Sequence, residues 1–277
     1  HLNRQYLLEQ VADAAVVQYY ADGFEALPRD QKILTWHLYQ AALAGRDIYY
    51  DQRYRHSLEM RAILEQILTH AAPSTLREPQ GRPEPGRGTT GSGQAGIPPD
   101  VLAEIRRYTK LFWINSGPHN NLTARKFVLA CPREAFREAA HAAARAGAAF
   151  PCRPGETVDA LLARLDGPFF DPAVDELVTS KAPGAGRDIL ASSANNLYDG
   201  VTMADLEGFP ERYGLNSRLV KRDGRLEEEV CRVGGRYGRE ISKIAGHLRD
   251  ALPYATTSMR AALEAQIRFY ETGEDAD

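Results

Sequence analysis

The stretch SRLVKRDGRLEEEVCRV, residues 217–233, decides the fold class. Two runs of strand-forming residues flank Asp223-Gly224, and a two-residue type I′ turn needs positive φ at both central positions, which Asp and Gly tolerate best. An antiparallel hairpin is predicted here. Along it, Glu227, Glu228 and Glu229 alternate between the two faces, so they read as a solvated edge facing Lys221 and Arg222 rather than as a carboxylate cluster.

Around the hairpin the apolar spacing is helical. Downstream, Ile241, Ile244 and Leu248 mark one helix; Pro253 starts another with the stripe Met259, Leu263, Ile267 and Tyr270. Upstream, short helices are predicted over Val158–Leu165 and Pro172–Thr179. Pro132 opens an Ala-rich helix to about Ala146, and PPDVLAEIRRYTKLFW forms a helix entered through Pro and Asp. The first seventy residues read as three helices. The first carries Leu7, Val11, Ala14, Ala15 and Gln18. The second runs from Pro28 through Ile33, Leu34, His37, Leu38 and Ala41 to a stop at Gly45, and the third carries Leu58, Ile63, Leu64, Ile67 and Leu68. The expected class is α+β, mostly helical with a small antiparallel β component and no internal repeat.

Between these halves the composition shifts. Twelve of the 27 residues from Pro73 to Pro99 are Gly or Pro, and Leu76 and Ile97 are their large apolar side chains. Such a segment cannot bury enough surface to offset its ordering entropy. The expected organisation is an N-terminal helical subdomain over 1–72, a flexible Pro/Gly-rich insertion over 73–99, and a mixed α/β portion of the same lobe over 100–277.

The chain is 43% hydrophobic and 26% charged, with 34 Lys+Arg against 37 Asp+Glu, a net charge of −3. That balance argues against a nucleic-acid binder, which needs a strong positive field. No apolar run has transmembrane length, and Cys131, Cys152 and Cys231 form no CxxC and cannot all pair, so a reduced, cytoplasmic protein without a membrane partner is expected.

No HExxH, GxSxG, P-loop or GxGxxG occurs, and the glycines of VGGRYGRE do not match a phosphate turn. Zinc sites favour two ligands one helical turn apart. The pair singled out at that spacing with His leading is His56 and Glu59, and Met60 stands where an inverted zinc motif would carry its second His. His37, His70, His119, His141 and His247 are isolated in sequence. Cys131 has no base beside it to generate a thiolate. No catalytic residue and no metal ligand is therefore assigned.

One segment stands out. Asn115, Ser116, His119, Asn120 and Asn121 crowd into seven positions after the aromatic helix end at Trp113, with Gly117-Pro118 already making the turn. Polar side chains beyond what a turn needs, on a loop between rigid elements, suit ligand contact, although turn formation alone also uses Asn and Ser. Trp113, Asn115, His119, Asn120 and Asn121 are the candidate substrate-binding residues.

Three long blocks carry a family likeness: YYADGFEALPRDQKILTWHLYQAALAGRDIYYDQRYRHSLEMRAILEQI, LFWINSGPHNNLTARKFVLACPREAF, and LYDGVTMADLEGFPERYGLNSRLVKRDGRLEEEVCRVGGRYGREI. They resemble the N-terminal half of bacterial dipeptidyl peptidase III, peptidase family M49. The resemblance implies one lobe of a two-lobed zinc metallopeptidase that releases dipeptides from the N-termini of short peptides. In that family an HExxGH helix supplies two zinc ligands and the general base, and a later helix supplies a carboxylate ligand; neither is in this sequence. The resemblance thus implies a segment truncated at its C-terminus and inactive alone. Its partners would be the C-terminal catalytic lobe of the same polypeptide and short peptides. Zinc would belong to the full-length enzyme, with none on this segment. The alternative is a stand-alone, non-catalytic peptide-binding or scaffold module.

Overall fold

The computed structural model describes residues 4–70 and 97–277. The predicted insertion lies, over residues 73–96, outside the described residues. In chain order the elements are β1 (Leu7–Val11), β2 (Ala14–Val17), α1 (Arg29–Ala44), α2 (Arg46–Arg53), α3 (Ser57–His70), α4 (Pro99–Asn115), α5 (Arg133–Arg145), α6 (Val158–Arg164) and α7 (Asp166–Phe170). They continue with β3 (Tyr198–Asp199), α8 (Met203–Leu206), β4 (Ser217–Arg222), β5 (Arg225–Val230), α9 (Gly238–Ala251), a 3-10 turn over Leu252–Tyr254, and α10 (Thr257–Thr272). The class is α+β, as the sequence implies. The chain forms two compact units: residues 1–57, 121–125 and 175–277 make the first, and residues 58–120 and 126–174 the second.

In the first unit the core lies between α1, α9 and α10. Ala41, Ile244, Leu248 and Ile267 are buried together, with Leu38, Ile48, Leu263 and Tyr270 packed against them. The apolar positions recur every three or four residues because one helix stripe must face its neighbour. The predicted hairpin is β4–β5, with Arg222 opposite Arg225 and left-handed backbone at Asp223 (φ 49°) and Gly224 (φ 78°). A short parallel strand, β3, pairs Tyr198 with Leu219 and completes a three-stranded sheet.

Three predicted helix positions differ. Residues 7–17 form the antiparallel hairpin β1–β2, not a helix. The helix-like spacing within that window is overridden by partners outside it. Tyr6 meets Tyr20 edge-on at 5.6 Å, Arg4 pairs with Asp22 at 2.5 Å and lies over the Tyr20 ring, and the Tyr20 hydroxyl donates to the Gln5 carbonyl at 3.0 Å. Residues 172–179 are also not helical. Asp175 adopts φ 53°, Leu177 bridges Arg125, and the Val178 N–H donates to the Ala124 carbonyl at 3.0 Å, so the backbone is used by pairing. The last helix starts after Thr256, whose hydroxyl caps it by accepting from the Met259 N–H, while Pro253 sits in the 3-10 turn. Helix α2 adds an element beyond the predicted stop at Gly45.

The second unit is helical. An aromatic group fills it: Tyr108 lies 5.4 Å from Phe127 and 6.1 Å from Phe169, and Phe136 lies 5.0 Å from Phe169. Met60, Ile63, Leu64 and Ile67 of α3 are fully buried. Glu59 on the same helix takes a bidentate contact from Arg164 (2.7 and 2.9 Å), which also donates to Glu156 at 2.9 Å, so one guanidinium joins α3 to α6 and the loop before it.

Candidate functional site

The loop singled out in the sequence begins where α4 ends. Ser116 turns left-handed (φ 53°) and the Gly117 N–H closes the helix on the Phe112 carbonyl at 3.0 Å. Asn115 is buried, its Nδ2 donating to the Leu111 carbonyl of its own helix at 2.9 Å. The Phe127 N–H donates to the Pro118 carbonyl at 2.9 Å, and His119, 1% exposed, pairs with Lys126 in an isolated antiparallel bridge. Trp113 keeps 45% of its surface exposed while its Nε1 donates to Glu65 Oε1 at 3.0 Å. Asn120 is half-buried and ends this part of the second unit; Asn121 is exposed and begins a segment of the first. Asn115 and His119 thus point inward, and Trp113 and Asn121 offer surface.

His56 stacks edge-on against Tyr54 at 5.2 Å, and Glu59 is committed to Arg164. The Glu59 carboxylate is an ion-pair anchor in its own unit.

A charged network that sequence spacing does not reveal ties the first unit together. Asp51 Oδ2, on α2, accepts from Arg236 Nη2 at 2.7 Å, from Asn196 Nδ2 at 3.1 Å and from the Tyr237 hydroxyl. Arg236 also donates to Glu229 Oε2 at 2.7 Å, and Arg218 joins Glu229 to Asp199 at 3.3 and 2.7 Å. The loop VGGRYGRE aims these groups. A Cβ at Gly235 would stand 2.4 Å from the Val230 carbonyl oxygen, so only glycine lets the chain fold back here, and Tyr237 follows in left-handed conformation (φ 56°). Burial, then the hydrogen bond to Asp51, pushes the Tyr237 phenol upward and keeps it neutral.

Beside this network lies an open cleft of about 410 Å³ lined by Glu228, Glu229, Val230, Arg232, Gly235 and Arg236. Its acidic groups are already spoken for. Glu229 pairs with arginines, Glu228 accepts from the backbone N–H groups of Arg212 and Tyr213, and Lys221 turns to Asp205 instead of toward the glutamates. Glu227 and Glu229 lean to the arginine face and Glu228 to the other, as strand alternation requires.

The cysteines are not paired, and none is poised as a nucleophile. Burial first, then the Glu104 carboxylate, pushes the Cys131 thiol up to about 11; burial likewise raises Cys152 and Cys231.

Among the described residues one group has the makings of a metal centre. His37 of α1 and His247 and Asp250 of α9 each offer a donor atom, all within 4.8 Å of one another. Trp36 stands edge-on to both imidazoles, at 4.9 and 6.0 Å, and Tyr254 stacks on His37. His247-Leu-Arg-Asp250 repeats the spacing of His56–Glu59, so half of this signal is written in the sequence; the third member arrives only through the packing of α1 on α9. Among the described residues no helix is long and apolar enough to cross a membrane. No family model matches the chain, and no curated protein matches it.

Proposed function

We propose that this chain is the N-terminal, non-catalytic lobe of a zinc-dependent dipeptidyl peptidase of the M49 kind, shaping the cleft in which a short peptide is held. The observation that carries this reading is the resemblance of three long sequence blocks to that family. The absence of HExxGH from the sequence and the commitment of Glu59 to Arg164 accord with a segment that leaves the chemistry to the rest of the polypeptide.

Cleavage after two residues demands one fixed register for the substrate. An extended peptide held by its backbone, with two lobes closing over it, excludes water and aligns the scissile carbonyl on the metal. This lobe supplies a wall; the C-terminal lobe supplies Zn²⁺ and the water it activates. Within the wall, Trp113 and Asn121 have the exposed surface that peptide contact requires, Asn120 is half-buried, and Asn115 and His119 are buried. The unpaired thiols suit a cytoplasmic bacterial enzyme.

The test is the coding sequence downstream of Asp277. An HExxGH helix in the same reading frame, followed by a second acidic helix, is the expected result. A downstream region without it would leave a peptide-binding module in place of an enzyme lobe.

A further inference from the structure

The histidine pair between α1 and α9 asks for a partner that protein atoms do not provide. The Nδ1 atoms of His37 and His247 are both shut off from solvent with no hydrogen-bond partner. A neutral imidazole has one N–H donor and one lone pair, and leaving either unsatisfied away from water is costly. Two such nitrogens on facing helices, with an exposed carboxylate one turn beyond the second, are not what core packing alone would select.

From this we infer that His37, His247 and Asp250 form a divalent transition-metal site that clips α1 to α9, its ion being of the zinc type. The donor set fits that chemistry. Two imidazoles and one carboxylate match the three protein ligands of open zinc sites, whereas calcium and magnesium take oxygen ligands. Donors each about 2.1 Å from a tetrahedral ion stand about 3.4 Å apart, so the present spread of up to 4.8 Å closes with a modest side-chain rotation. Asp250 is exposed and able to make that swing. Along their helices His37 lies between the buried Leu34 and Ala41, and the half-buried His247 between the buried Ile244 and Ala251. Trp36 and Tyr254 wall the imidazoles on their faces and edges. The neighbouring cation Arg249 is occupied by Glu271 and does not compete for Asp250.

Bound metal would join two helices that are distant in sequence, so its binding free energy adds to the stability of the first unit. This holds whether or not the peptidase reading is correct.

The experiment uses the full chain, stripped with chelator and titrated with Zn²⁺ by equilibrium dialysis and with Co²⁺ by visible absorption, alongside the variants His37→Gln, His247→Gln and Asp250→Asn. One Zn²⁺ per chain is expected, with a Co²⁺ spectrum of low coordination number and a weakening of roughly a hundredfold in each variant. Zn²⁺ should raise the melting temperature of the parent chain clearly more than that of Asp250→Asn at the same zinc concentration, and Ca²⁺ and Mg²⁺ should raise neither. Asp250→Asn changes an exposed side chain and keeps the test alive if a histidine variant fails to fold. Absence of stoichiometric zinc, or full affinity in any folded variant of the three, would overturn the site.

Discussion

Arg236 Nη2 donates to Asp51 Oδ2 at 2.7 Å although 185 positions separate the two residues in sequence. Asn196 and Tyr237 share the same carboxylate oxygen, so α2, the segment before β3 and the turn before α9 meet at one atom. Both side chains of the pair are more than four-fifths buried, at 17% and 19% exposure, where removing one partner strands the other. Asp51→Ala should cost about 3 kcal/mol, read as a lower urea midpoint with the slope unchanged. A loss below about 0.5 kcal/mol would reduce the network to surface decoration.

Two carboxylates should shape the acid limb of stability. The Arg164 guanidinium, with the Arg153 backbone N–H, holds Glu156 at about 2 against an ordinary 4.5. Lys221, with Thr202, holds Asp205 at about 2 against 3.8. Depressed values mean that both contributions are complete above the ordinary values and fade as pH falls toward 2. Glu156→Gln should flatten the stability profile between about 4.5 and 2, and Asp205→Asn between about 3.8 and 2. Unfolding curves at a series of pH values check this; an unchanged acid limb in both variants would refute it.

Tyr108 offers the opposite sign. Its ring is fully buried among Phe112, Phe127 and Phe169, and its hydroxyl meets no hydrogen-bond partner. Tyr108→Phe keeps the ring contacts and deletes the stranded group, so thermal unfolding should shift upward by the equivalent of about 1 kcal/mol. A clear loss of stability would mean that the hydroxyl is satisfied.

The β4–β5 hairpin and the helices α1, α3, α4, α5, α6, α9 and α10 were legible because their signals are local: Asp223-Gly224 for the turn, Leu34 to Ala41 or Ile241 to Leu248 for a stripe. The β1–β2 hairpin was not, since Arg4–Asp22 and Tyr6–Tyr20 lie outside the window in which Leu7 to Gln18 mimic a helix. The candidate loop could be found by its crowding of amides, yet the inward turn of Asn115 and His119 depends on Leu111 and Lys126, and side-chain direction is not written in composition. The Asp51 group was invisible because Asp51, Asn196 and Arg236 meet only through tertiary folding, and of the His37 group only the His247–Asp250 spacing stood in the sequence.

The loop separates two kinds of effect. Under the proposed peptidase reading, in the polypeptide extended downstream, Trp113→Phe combined with Asn121→Ala should raise KM or lower kcat about tenfold, on the scale of one or two uncharged hydrogen bonds, with the melting temperature kept. His119→Ala, at a site 1% exposed, should lower the melting temperature instead. Steady-state kinetics and thermal unfolding on the same preparations distinguish them, and unchanged kinetics in the double variant would remove the loop from the cleft.

The most direct test is release of dipeptide from the N-terminus of a short peptide, followed by mass spectrometry with zinc present. None is expected from residues 1–277 alone, and stepwise loss of two-residue units is expected from the polypeptide extended through the region that follows Asp277. Dipeptide release by the 277-residue chain itself, or none from the extended polypeptide loaded with zinc, would contradict it.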